Sequence, residues 1–154
     1  MTNKLEITTE VPNEIQMTRT FDAPRRLVVK AMSTPELIKR WLGGVRATVL
    51  SADIDFRVGG AYRYVLRPHK GADFGFGGTY REISDDRVVH SEAFDGYPGE
   101  SLVTTTFVEQ AGRTTMTVRV RFESQQIRDA VLATGMANGA GESYDALETL
   151  VAGL

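Results

Sequence analysis

Residues 113–122 read RTTMTVRVRF and residues 123–151 read ESQQIRDAVLATGMANGAGESYDALETLV; the boundary between them decides the architecture. In the first stretch Met116, Val118, Val120 and Phe122 alternate with Thr115, Thr117, Arg119 and Arg121. That is a strand with one covered face and one wet face. From Ser124 the period becomes helical. Ile127, Val131, Thr134, Ala137, Gly141, Tyr144, Leu147 and Val151 fall on one stripe, with Ala130 and Leu150 at its edges. The spacing predicts one long amphipathic helix or two joined pieces. Gly135, Gly139 and Gly141 interrupt it, each costing about 0.8–1 kcal/mol against alanine in a helix interior. Close packing on a sheet, or a helix break, is the expected reason; the sharper alternative is volume left for a ligand.

Working upstream, strands are expected near residues 46–56, 60–67, 76–84, 87–94, 101–109 and 113–122. Val58-Gly59-Gly60, the Pro68–Asp73 loop, Ser84-Asp85-Asp86, Asp95–Gly99 and Gln110-Ala111-Gly112 separate them. Links this short imply an antiparallel meander. Ile15, Met17, Arg19 and Phe21 alternate with Gln16, Thr18 and Thr20, marking an earlier strand. Residues 1–14 form a loose arm or an edge strand through Leu5 and Ile7.

Two short helices lie between. Asp22-Ala23-Pro24 starts the first with a capping acid and an early proline. Leu27, Val28, Ala31 and Met32 share its apolar face, and it ends near Ser33, ahead of Pro35. In TPELIKRWLGG, residues 34–44, Thr34 caps the second, and Leu37, Ile38, Trp41 and Leu42 line one side. Gly43-Gly44 stops it. Two short helices with a sharp bend cannot form a bundle, so they must close off something larger. The simplest closure is an α+β domain over residues 15–154, a curved antiparallel sheet wrapping a C-terminal helix.

The bulk numbers narrow the function. The 154 residues are 42% hydrophobic and 25% charged, with net charge −2 and no cysteine. Disulfides and thiol chemistry are excluded, and a cytoplasmic location fits. No apolar run approaches the roughly 18 residues of a membrane span. The start MTNKLEITTEVPNE lacks the pattern of a signal peptide. Basic residues are scattered rather than striped, against nucleic-acid binding. Two histidines without H-E-x-x-H argue against catalytic zinc, and no cofactor is expected.

Seven segments in order resemble the family related to the activator of heat-shock-protein-90 ATPase, within the START-like (SRPBCC) helix-grip superfamily. They are RTFDAPRRLV at 19–28, TPELIKRW at 34–41, DFRVGGAYRY at 55–64, FGGTYREI at 76–83, RVVHSEAF at 87–94, GRTTMTVRV at 112–120 and GMANGAGESYDALETLV at 135–151. The resemblance implies a helix-grip fold around a cavity that holds a small hydrophobic or amphipathic molecule. Chaperone activation is not expected, because the activators resemble this chain only in their C-terminal part.

Alternation then nominates a wall. Tyr62 and Tyr64 share a face with Leu66; Phe76 and Tyr80 share one with Gly78 and Glu82; His90 and Glu92 share one with Val88 and Phe94. The last pair faces either the cavity or solvent. Trp41 and Met136 are the helical contributions, Trp41 as core or as ligand contact. An inward Arg19 demands a carboxylate, Glu92 or Asp55 being the choices in view. Asp55-Phe56-Arg57 before Gly59-Gly60 is read as a salt bridge steadying a glycine bulge, the alternative being an anion clamp. Three functions remain open: ligand binding, a cavity enzyme of cyclase, dehydratase or hydrolase type, and an interaction module using the outer sheet or a symmetric homodimer.

Overall fold

A computed structural model describes residues 3–154. Met1 and Thr2 of the expected arm lie outside the described residues. The strands are β1 (Glu6–Thr8), β2 (Glu14–Phe21), β3 (Ala47–Ile54), β4 (Ala61–Pro68), β5 (Phe74–Ile83), β6 (Arg87–Phe94), β7 (Ser101–Gln110) and β8 (Arg113–Arg121). They form one antiparallel sheet in the order β1-β2-β8-β7-β6-β5-β4-β3. β1 is the expected edge strand, with Ile7 opposite Met17.

The order gives the two short helices their purpose. β2 pairs with the last strand, Ile15 facing Val120 and Phe21 facing Thr114, while β3 lies on the opposite edge. The chain must therefore cross the whole sheet between Phe21 and Ala47. Helices α1 (Arg25–Ser33) and α2 (Pro35–Trp41) make that crossing. Gly43 and Gly44 stop α2 with φ of 88° and 55°. The expected side-chain caps are absent. Pro24 and Thr34 occupy the cap positions without a side-chain hydrogen bond. Asp22 instead accepts from Arg113 on β8.

The C-terminal segment is two helices, α3 (Gln125–Ala133) and α4 (Met136–Ala152). Gly135, at φ 80°, separates them in the left-handed region that favours glycine. The single apolar stripe does not survive the break. Ile127 is exposed, and the buried residue of α3 is Arg128. Its guanidinium donates to the carbonyls of Thr9, Val11 and Glu14, fixing the start of β2. The close packing expected of the glycines is not found either: a Cβ built at Gly139 or Gly141 meets no atom within 4 Å.

The core lies between the inner sheet face and the helices. Ile15, Phe21, Met116 and Leu147 are fully buried there. Arg19 is buried as its phase requires, but neither expected partner holds it. It donates to Asp145 at 2.6 Å and Glu148 at 3.4 Å, both on α4. Register explains this. Arg19 lies opposite Met116, which faces Phe107, whereas Glu92 faces Ser101, six residues along β7 and three strands away. Glu148 also accepts from Asn3 and from the Asp22 amide, tying β1, β2 and the start of α1 to α4.

Two stability predictions result. Gly135→Ala will destabilise by about 1–2 kcal/mol through its left-handed backbone. Gly139→Ala and Gly141→Ala will each stabilise by about 0.4–1 kcal/mol; thermal melts of the three single variants read the signs. Arg19→Met will cost about 1–2 kcal/mol in chemical denaturation. That is less than the 3–5 kcal/mol of a fully buried pair, because Asp145 returns to water and Glu148 keeps its other donors.

Candidate functional site

The inner face of β4, β5 and β6 is an aromatic wall. Tyr62 and Tyr64 are buried on β4, opposite Gly78 and Phe76 of β5. Tyr80 of β5 lies opposite His90 of β6, and Phe76 opposite Phe94. A register shift between Tyr80 and Glu82 ends the alternation, so Glu82 leaves the wall and pairs with Arg87 at the surface. Ring centroids run from exposed Phe74 to Phe76 (6.3 Å), Tyr64 (5.4 Å), Tyr62 (5.3 Å) and His90 (4.9 Å). Phe94 stacks on Phe76 at 4.8 Å. A file of rings thus leads inward from the surface.

At its inner end, polar groups gather. The missing side chain at Gly78 lets Tyr62 reach across β5 to β6. A Cβ at Gly78 would lie 2.0 Å from the Ser91 carbonyl oxygen. The Tyr62 hydroxyl donates to that same oxygen at 2.7 Å and lies 2.9 Å from His90 Nδ1. Nδ1 is also 3.0 Å from the Ser91 carbonyl. With the tyrosine proton committed to Ser91, only a protonated Nδ1 satisfies all three contacts. In neutral His90 the lone pair therefore sits on Nε2. Burial lowers the pKa of His90 and so favours the neutral form.

Glu92 shares this face, about 7 Å further along β6. Burial pushes its carboxyl up to about 7. Burial, and then the Glu92 charge, raise the hydroxyls of Tyr62 and Tyr144. Tyr64 is also raised, chiefly by burial, and Tyr80 is pushed up to about 12. The Glu92 carboxyl makes no hydrogen bond among the described residues, yet the sole sealed polar atom without a partner among them is Arg19 Nε. Its oxygens are therefore not fully sealed by packed atoms.

The remaining candidates divide. Trp41 is buried, donates from Nε1 to the Ala31 carbonyl at 2.9 Å and stacks on Tyr144 at 6.2 Å. These contacts join α2 to α1 and α4. Met136, at the first turn of α4, is half-buried against the core. Asp55 and Arg57 form an exposed ion pair at 2.8 Å in the β3–β4 turn, as the bulge reading expected. Arg19 belongs to the β2–α4 contact. Two clefts open away from the wall. One of about 520 Å³ runs between β1 and α4, and one of about 390 Å³ lies over Glu14, Arg119 and Arg121. Neither is lined by Trp41, the wall tyrosines, Phe76 or Met136. Among the described residues no cluster of three His, Asp or Glu could hold a metal ion.

Sequence reasoning passed over Tyr144, Phe74 and the Ser91 carbonyl. Tyr144 was visible on the helical stripe, but nothing in the stripe distinguishes a residue facing Glu92 from one in solid core. The Ser91 carbonyl turns inward only because Gly78 permits it.

The comparisons agree with this architecture. The profile of the family described as activator of Hsp90 ATPase homolog 1-like protein matches residues 22–152. No curated protein matches. A solved structure from Rhodobacter sphaeroides is 27% identical, with TM-score 0.91 over 98% of this chain and 99% of that one. One from Chromobacterium violaceum is 27% identical, with TM-score 0.80 over 92% and 98%. DynU16, a protein in the dynemicin biosynthetic locus, is 22% identical, with TM-score 0.68 over 89% of this chain and 48% of its own; this likeness bears on fold alone. With the family profile spanning most of the sequence and a curved antiparallel sheet gripping the C-terminal helix, the chain belongs to the activator of Hsp90 ATPase homolog 1-like family and has its helix-grip fold.

Proposed function

We propose that the protein binds a small, largely apolar molecule between the β4–β6 wall and the first turns of α4. The observation that carries this reading is Glu92. A carboxyl pushed up by burial, not fully sealed and hydrogen-bonded to no described residue, costs free energy that a solid core would not retain. Such a group is the polar point that orients a ligand in an otherwise apolar site. The file from Phe74 to Tyr62 supplies an apolar path to it. The resemblance to DynU16 adds no ligand identity.

Acid–base catalysis is the second reading, favoured by one feature. His90 offers a lone pair on Nε2, and Glu92 holds a proton near neutrality on the same face. A scaffold that binds and a scaffold that reacts differ here only in the molecule supplied.

The binding reading is tested with Nile red, a neutral apolar dye. Its emission should shift to the blue and strengthen with the wild type, and Ala140→Phe, on the helix face shared with Met136 and Tyr144, should abolish the change. No response with wild type, or an unchanged response in a folded Ala140→Phe, would sink it. The interior placement of Glu92 makes a separate prediction. Its folded pKa of about 7 lies above the ordinary 4.5, so the folded state holds the proton longer than the unfolded chain. The contribution is favourable below pH 4.5 and is lost as pH rises through 7. Glu92→Gln should therefore gain stability relative to wild type across that window, reaching about 3 kcal/mol near pH 8. A difference independent of pH would place Glu92 in water.

A further inference from the structure

We infer that the ligand carries a positively charged nitrogen: an aromatic or otherwise apolar amine, its ammonium held by Glu92 and by the faces of the surrounding rings. This rests on the binding reading above and adds the sign of the ligand's charge.

The chemistry of the wall is one-sided. Glu92 offers two unpartnered oxygens. His90 offers the Nε2 lone pair, because Nδ1 faces Tyr62 and the Ser91 carbonyl. The Tyr62 proton is already given to Ser91. Aromatic rings attract cations through their electron-rich faces, and the wall is built of them: Tyr62, Tyr64, Tyr80 and Phe76. Acceptors and π faces without a counter-cation fit an ammonium group, whose hydrogens are donors only.

The distribution of positive charge argues the same way. Arg19 is the cation on the inner sheet face among the described residues. It lies three strands from β6, and Asp145 and Glu148 already engage it. A carboxylate or phosphate head would find no cation there, and Glu92 would have to keep its proton beside it. An alcohol would find hydrogen bonds with protonated Glu92 but gain no ion pair.

The groups that feel the Glu92 charge are the hydroxyls of Tyr62 and Tyr64 from β4 and of Tyr144 from α4; His90 lies two residues away on β6, and β7 presents Ser101 opposite Glu92. Burial holds the tyrosines un-ionised and His90 neutral. An entering ammonium is then the one cation in the site, and it draws Glu92 into its ionised form with release of the proton.

Three probes sharing a naphthalene body separate the possibilities: 1-naphthylmethylamine, 1-naphthylmethanol and 1-naphthoic acid. Each is titrated into the full chain and into Glu92→Gln by calorimetry. The amine should bind wild type about tenfold tighter than the alcohol, and the acid most weakly. Glu92→Gln should lose the amine's advantage while keeping the alcohol within about threefold. Amine affinity should rise from about pH 6 to about pH 8, with proton release seen as a buffer-dependent heat. If the alcohol binds as tightly as the amine, or the acid binds best, the charge inference fails and the apolar site stands. Unchanged amine affinity in Glu92→Gln overturns it as well. Binding of none of the three overturns the ligand-site reading itself.

Discussion

The structure depends on the pairing of its first long strand with its last. Ile15 faces Val120 and Phe21 faces Thr114, so β2 closes against β8 across most of the chain. Once that pair forms, β3 must start at the far edge, and the intervening segment has one route, over the mouth of the sheet. The two short helices are the consequence. So is the location of Trp41, which packs where the crossing segment meets α4. The same pairing presents Arg19 to α4, whose Asp145 and Glu148 fasten helix to sheet.

Much of this was legible because alternation reports burial directly. Approximate strand positions and the shared phases of Tyr62 with Tyr64, of Phe76 with Tyr80 and of Arg19 with Phe21 follow from a period of two; whether His90 and Glu92 face inward does not. What alternation cannot report is register across the sheet. Glu92 as a partner for Arg19 was chemically reasonable, and pairing distances exclude it. The irregular points were also hidden. The register shift after Tyr80 removes Glu82 from the wall, a feature of hydrogen bonding with no signature in side-chain pattern. The glycines of the C-terminal segment offered both close packing and a helix break, and pattern alone could not assign them. Glycine marks either close approach or unusual backbone, and Gly135 is the second kind while Gly139 and Gly141 are neither.

Tyrosines, His90 and Glu92 were nominated as wall candidates from their phase, the last pair facing either the cavity or solvent. The proton arrangement came only from the turned Ser91 carbonyl, which fixes Tyr62 as its donor and leaves His90 with its lone pair on Nε2. Trp41, open in the sequence between core and ligand contact, is buried against the Ala31 carbonyl and Tyr144. Glu92, whose carboxyl makes no hydrogen bond among the described residues, was nominated, but an acid at a strand position usually means solvent and alternation could not choose.

The sheet does not close into a barrel, so it has two free margins, each of which could template another strand. Both are poor templates. β1 spans three residues, Glu6 and Thr8 being exposed. β3 is kinked where its register shifts between Val49 and Ser51, turning Leu50 outward. A short margin and a bent one discourage edge-to-edge polymerisation. The chain thereby keeps an open, curved sheet with an aromatic inner face without exposing the straight edge from which fibrillar aggregates grow.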